Sequence, residues 1–257
     1  MTQGLAIDLC GEIAYDLRMA DHHRKFSQRM ELVVARYQED LQWLRRVPKR
    51  FQIKVYNKGG ALNLPARRAL SSVALPNIGR EDYAYLSHIV TNYETLADVT
   101  VFAQGKPFDH VPEFHRVLHG IAFQKLRIAD FQWFGFIIDE DDCYGNRLFR
   151  SWSKNPGAES LPMRAFWHHL WDVPSPDRFV FYPSAHFAVT AVQVRTQPRA
   201  FYERALSLCV QHPHHAHCFE RVWDRIFSIN GIPPRWRVSP KPIYFRSTRR
   251  QAQLSSH

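Results

Sequence analysis

Three short runs rich in β-branched and aromatic residues recur along the chain: Glu31-Leu-Val-Val-Ala-Arg-Tyr37, Phe51-Gln-Ile-Lys-Val-Tyr56 and Asp98-Val-Thr-Val-Phe102. Each ends in a polar cluster, and this recurrence limits the fold more than any other feature. The first leads through Glu39-Asp40 to a short helical pattern, Leu41-Gln42-Trp43-Leu44, stopped before Pro48. The second runs into Asn57-Lys58-Gly59-Gly60, whose glycines permit a turn with exposed N–H groups. Before the third lies Leu75-Pro76-Asn77-Ile78-Gly79-Arg80-Glu81, a turn opening a helix over 82–93 with Tyr85, Ile89 and Tyr93 one turn apart. Alternation of strand and helix predicts an α/β domain whose mainly parallel sheet is flanked by helices on both faces.

In the second half, Phe131–Ile138 reads as a strand delivering Asp139-Glu140-Asp141-Asp142, and Arg178–Tyr182 as another leading to Pro183–Val189. Amphipathic helices are expected at 198–210 and 218–229, the second carrying Phe219, Val222, Trp223 and Ile226 on one face. The expected organisation is an N-terminal helix and linker (1–30), one α/β domain (31–230) with a helical C-terminal cap, and a basic tail (231–257). No run of apolar residues is long enough to span a membrane, and no basic head followed by an apolar stretch opens the chain. The four cysteines, at 10, 143, 209 and 218, include no C-x-x-C pair and read as free thiols of a reducing compartment, with the cytoplasm expected.

The chain carries 34 Lys and Arg against 24 Asp and Glu, a formal charge of +10, so an anionic partner is expected. Nucleic acid, nucleotide phosphates and an acidic membrane surface all fit. The excess gathers at the C-terminus, where no acidic residue follows Asp224 and seven cations do, from Arg225 through Arg235 and Arg237 to Arg250. With Trp236, Tyr244 and Phe245 among them, this stretch is expected to dock peripherally on an acidic membrane. Its alternative is an edge strand at Ile243–Phe245 with solvated arginines. The polar clusters Arg36–Asp40, Asn57–Gly60 and Gln104–His110 stand at the C-terminal ends of their strands, the edge at which open α/β sheets bind ligands. Neither G-x-G-x-x-G nor G-x-x-x-x-G-K-[ST] occurs, so a nucleotide would be held by another device.

The ordered series Val33–Leu44, Val55-Tyr-Asn-Lys-Gly59, Leu75–Glu81, Val101-Phe-Ala-Gln-Gly105 with Pro107-Phe-Asp-His110, and Ala185-His-Phe-Ala-Val189 with Phe201-Tyr202 resembles the family catalogued as domain of unknown function 3431, over roughly residues 31 to 230. A weaker resemblance is to A-type-fold glycosyltransferases. Asn77-Ile-Gly79-Arg80-Glu81 before a helix is similar to the N-x-G-R-D turn of transferases that build bacterial polysaccharides, with Glu81 in place of Asp. The strand Val99–Phe102 follows in the expected order. Where D-x-D should grip the sugar nucleotide through a metal, this chain has Gln104-Gly105-Lys106.

This second resemblance implies a transferase moving a sugar from a nucleotide-sugar donor to a glycan or lipid-linked acceptor in polysaccharide biosynthesis, with no nucleic acid involved. Donor contacts are expected from Arg36, Asn57, Lys58, Gly59, Asn77, Gly79, Arg80, Glu81, Gln104 and Lys106, with Lys58, Arg80 and Lys106 neutralising the leaving diphosphate. No metal ligand is assigned. A divalent cation, Mn²⁺ or Mg²⁺, remains possible as cofactor, with the acidic run Asp139–Asp142 an alternative source of oxygen ligands beside its reading as a solvated turn. A general base for the acceptor hydroxyl is expected at Asp109, with His110 beside it, or at Glu220, and acceptor contacts at His186 and Trp223.

Three rival readings come from the residues alone. His212-Pro-His-His-Ala-His217-Cys218 near Cys209 suggests zinc, but lacks a second cluster at finger spacing and reads as a polar connector. The aromatic and basic tail could stack bases and neutralise phosphates in a nucleic-acid-binding protein. Asp139, Asp141 and His186 could assist a metal-dependent hydrolysis, without any signature spacing.

Overall fold

The computed structural model describes residues 28–146, 160–237 and 243–244. The helix expected in the first thirty residues lies outside them, as do the tail cations Lys241, Arg246, Arg249 and Arg250. Three strands form where the β-branched runs stand: β1 (Met30–Arg36), β2 (Phe51–Asn57) and β4 (Val99–Gln104). Between β2 and β4 lie β3 (Leu70–Ala74) and helix α1 (Arg80–Asn92). β1 pairs in parallel with β2 on one side and β4 on the other, with Met30 opposite Phe51 and Val99. The large sheet has the order β3-β2-β1-β4-β8-β5, where β5 is Phe131–Trp133 and β8 is Phe187–Thr190. β8 runs antiparallel to both neighbours, so the sheet is parallel through its first four positions and mixed beyond.

Both faces of this sheet are covered, as continuous apolar strands require. Leu32 and Val34 of β1 enter a core with Leu44, Phe51, Phe114 and Leu118 beneath the 3-10 turn Gln42–Arg46 and helix α2 (Phe114–Ala122). Val33 and Ala35, pointing the other way, join a larger core with Tyr85 and Ile89 of α1. Helices α3 (Met163–Trp171), α4 (Arg199–Cys209), α5 (His215–Glu220) and α6 (Trp223–Ile226) complete that layer, α4 packing on α1.

Several expectations are corrected. The pattern before Pro48 makes only a five-residue 3-10 turn, ended where Val47 turns extended at ψ 135° ahead of the proline. Phe131–Ile138 is not one strand: the chain leaves the large sheet after β5 and starts β6 (Ile137–Asp142) of a small sheet ordered β7-β6-β9. The acidic run is therefore the strand itself and not a solvated turn, with Asp139, Glu140 and Asp141 buried. β7 (Arg178–Phe181) pairs along it and brings Arg178 to Glu140, while Arg221 reaches Asp141 at 2.8 Å. The helix expected at 218–229 is two short ones, α5 and α6, separated where Val222 takes φ −134°. Ile232 is fully buried, so packed structure continues past residue 230. Of the tail, Ile243–Tyr244 forms β9, an edge strand on β6.

Candidate functional site

The crossovers from β1 to β2 and β3 move outward on one side of β1, whereas β4 lies on its other side. The direction of winding thus reverses between β1 and β4, and ligands of open α/β sheets bind outside the strand ends at such a reversal. A cleft of about 430 Å³ opens at that point. Ala35, Arg36, Tyr37 and Glu39 line it from the end of β1, and Gln104, Lys106, Asp109 and His110 from the end of β4. Lys58 enters from the end of β2, Asn77 from the turn before α1, and Arg80 and Glu81 from the first residues of α1. Seven of the ten residues expected to contact a donor thus share one cavity with Asp109 and His110.

The other three build its walls. Asn57 accepts from Arg36 Nη1 at 2.8 Å and donates to the carbonyls of Gly59 and Gly60, holding the β2 turn against β1. A Cβ at Gly59 would lie 1.6 Å from the Tyr37 carbonyl oxygen, so only glycine permits this approach. Gly79 takes a left-handed conformation, φ +56°, pressed against Cys209 Sγ. Arg80 follows with φ +46°, a region rare for a residue with a side chain and concentrated at ligand sites.

Two cations are already committed. The Arg36 guanidinium also donates to the carbonyls of Glu39 and Gly60, which makes it a brace. Lys58, buried at 8% exposure, donates from Nζ to the carbonyls of Ile78 and Arg80, so β2 grips the turn carrying Arg80. Burial lowers the Lys58 pKa from its ordinary value, opposed by the nearby thiol and carboxyls of Cys209, Glu81 and Asp82. The exposed cations are Arg80, its side chain 55% accessible, and Lys106 at 65%. Lys106 pairs with Asp109 at 3.1 Å. Arg80 lies 3.7 Å from Glu81 and 3.3 Å from His217 Nε2. Because arginine can only donate, that imidazole nitrogen accepts, and the His217 proton sits on Nδ1. Burial and then Arg80 push the His217 pKa down.

Sequence reasoning missed part of this site. Glu39 lies in the polar cluster after β1, and its carboxylate takes the N–H groups of Tyr37 at 2.7 Å and Gln38 at 3.1 Å. A Cβ on Gly105 would meet that carboxylate at 2.7 Å, so the glycine of Gln104-Gly105-Lys106 gives it room. Gln104 donates to Glu81 at 2.8 Å. His217 belongs to the histidine run, yet its role here was not visible without the fold. Behind Glu81, Asp82 is buried beside Trp223, and burial reinforced by Glu81 and Glu220 raises its pKa well above the usual carboxylate range.

Three expected residues fall elsewhere. Trp223 offers no face for a sugar: it is fully buried and donates from Nε1 to Asp82 at 3.0 Å. His186 is likewise fully buried, its ring 5.8 Å from that of His110, which separates it from the cleft. Burial, then His110, lowers the His186 pKa to about 3, so the ring is neutral at physiological pH. Glu220 is absent from the cleft lining and is held by Arg221 at 2.5 Å, although its charge is felt at His217 and Asp82. The zinc and hydrolase readings find no geometry: among the described residues no three His, Cys, Asp or Glu side chains are grouped to hold a metal ion. His215 instead bonds the Leu208 carbonyl at 2.7 Å and His212 packs on His214 and His215; the run is a connector only to His214, since His215, buried, opens α5. Among the described residues no helix is long and apolar enough to cross a membrane.

The model of the family described as "Protein of unknown function (DUF3431)" matches residues 32–232, most of the chain, and the chain belongs to that family. No curated protein matches it.

Proposed function

We propose that this member of the DUF3431 family is a glycosyltransferase of the A-type fold, moving a sugar from a nucleotide-sugar donor to a glycan or lipid-linked acceptor. The observation that carries the reading is the cleft at the β1/β4 reversal, with Arg80 and Lys106 exposed in it and Asp109-His110 at its edge. A nucleoside diphosphate is a ligand suited to that position and charge. In the reaction the acceptor hydroxyl oxygen bonds to the anomeric carbon as the bond from that carbon to the diphosphate oxygen breaks. The electron pair leaves with the diphosphate, and the hydroxyl proton passes to Asp109 or His110.

Arg80 and Lys106 would stabilise the charge developing on the leaving group, while Lys58 and Arg36 act from behind by fixing the turns. Basic residues from Arg235 onward would add reversible attachment to an acidic membrane bearing the acceptor.

The test is thermal unfolding of the full chain with a panel of nucleoside diphosphates, with and without Mn²⁺. A nucleotide at about 100 times its dissociation constant adds about 2.7 kcal/mol of stability. A rise in melting temperature with a subset of bases is the expected result; no rise with any of them overturns the proposal.

A further inference from the structure

A second cavity of about 290 Å³ adjoins the first, and His110 lines both. Its floor is aromatic. The Trp133 and Tyr182 rings stack with centroids 6.1 Å apart and planes 26° from parallel, and with Phe134 they are buried beneath the cavity, so half-buried Phe136 is the aromatic ring that offers a face. Gly135, between the two phenylalanines, lets the chain lie on Tyr182, since a Cβ there would meet the ring at 2.9 Å. Polar groups stand at the rim, where Glu113 and Gln132 are both exposed.

The two cavities divide charge sharply. Arginine and lysine supply four lining residues of the first, whereas none lines the second among the described residues; its charged lining residue is the acid Glu113. A phosphate or other anion is therefore poorly matched to the second cavity. A neutral ring with hydroxyl edges and an apolar C–H face is well matched, because the face packs on Phe136 while hydroxyls donate to the Glu113 carboxylate and the Gln132 amide oxygen. The volume falls just below the roughly 300–1,000 Å³ of sites that enclose a whole small molecule, which suits one ring of a longer chain continuing into solvent.

We propose that this second cavity is the acceptor subsite and that it takes one ring of an uncharged saccharide, presenting a hydroxyl to the donor cleft across His110. The proposal rests on the transferase reading above and narrows its acceptor to the sugar end of a neutral glycan. The atoms move as in that reaction, the hydroxyl proton leaving at the His110 boundary.

The experiment is a ¹H–¹⁵N NMR titration of the full chain with maltotriose, cellotriose and chitotriose, and separately with farnesyl phosphate, each with and without a nucleoside diphosphate. At least one trisaccharide should shift the Gln132 side-chain amide and the Gly135 backbone amide. Phe136→Ala and Glu113→Gln should each weaken that binding about tenfold, the size expected for an anchor contact, while nucleotide affinity stays within about twofold. Spectra of both variants must show the native fold, and the milder Glu113→Gln keeps the test open if Phe136→Ala unfolds. No saccharide shift at Gln132 and Gly135, or a response to farnesyl phosphate alone, overturns the proposal. Saccharide binding there without any nucleotide binding would refute the transferase reading and leave the saccharide site standing; nucleotide binding without saccharide binding would do the reverse.

Discussion

Replacing Arg80 separates what the residue does for the fold from what it does for a ligand. Its side chain is more than half exposed, and its partners are Glu81 at 3.7 Å and His217 at 3.3 Å. Exposed pairs of this kind contribute about 0–1 kcal/mol, so truncation should change stability little. A guanidinium bonded to phosphate is worth about 1.5–3 kcal/mol, so Arg80→Ala should weaken nucleoside diphosphate binding about 10- to 150-fold. Backbone conformation provides an internal control. At φ +46° a residue with a Cβ carries about 1–2 kcal/mol of strain, which glycine escapes at a cost of about 0.5–1 kcal/mol in chain entropy. Arg80→Gly should therefore bind nucleotide as weakly as Arg80→Ala, yet be up to about 1.5 kcal/mol more stable. Arg80→Lys should bind between wild type and Ala, since it keeps the charge and loses the planar fork. Titration calorimetry gives the affinities and urea unfolding the stabilities. If Arg80→Ala unfolds far more easily while its folded fraction binds nucleotide as tightly as wild type, Arg80 is a structural ion-pair partner and the reasoning fails.

Arg221 is 3% exposed and bonds Asp141, the His217 carbonyl and Glu220 while lying 4.5 Å over the Phe181 ring, so Arg221→Met should cost about 3–5 kcal/mol in urea unfolding by stranding a buried carboxylate; a loss below about 1 kcal/mol would show that Asp141 does not depend on it. His186 has its folded pKa lowered to about 3 by burial, so protons bind the unfolded state first as pH falls below about 6.5, and stability should drop by about 1.4 kcal/mol per pH unit from this group alone. Above pH 6.5 it contributes no slope. His186→Phe should flatten the acid limb of the stability profile between about pH 6 and 4; an unchanged limb would mean that His186 is not kept neutral by the fold.

The strands β1 and β4 were legible as near-continuous apolar runs buried on both faces, and β2 as an alternating run, Phe51-Gln-Ile-Lys-Val, whose apolar residues are buried; their polar ends located most of the cleft before any geometry. β3 was not, because Leu70-Ser-Ser-Val-Ala74 is a short, largely exposed edge strand with two serines and no alternation to mark it. Helices α2 and α3 did carry a signal: Phe114, Leu118 and Ile121, and Met163, Phe166, Trp167 and Leu170, are buried at helical spacing. The burial of Asp139–Asp141 could not be read locally, since the arginines that meet Glu140 and Asp141 come from residues 178 and 221. Trp223 shows the same limit: a helix face carrying tryptophan can serve as a platform or as core, and only the position of Asp82 against it decides.

The antiparallel strand β8 bears on the order of events during synthesis. Residues that line the cleft at the β1/β4 reversal have all emerged by His110, yet the free edge of β4 is covered by Phe187–Thr190, with Val99 opposite Thr190 about 90 residues further along. Until that segment arrives, the nascent sheet presents the unpaired backbone of β4 beside Val101 and Phe102, a template for pairing with other chains. A chain cut between residues 122 and 187 should therefore aggregate even though it contains every residue lining that cleft, and the full-length protein should depend on a slow, late strand insertion to avoid aggregation.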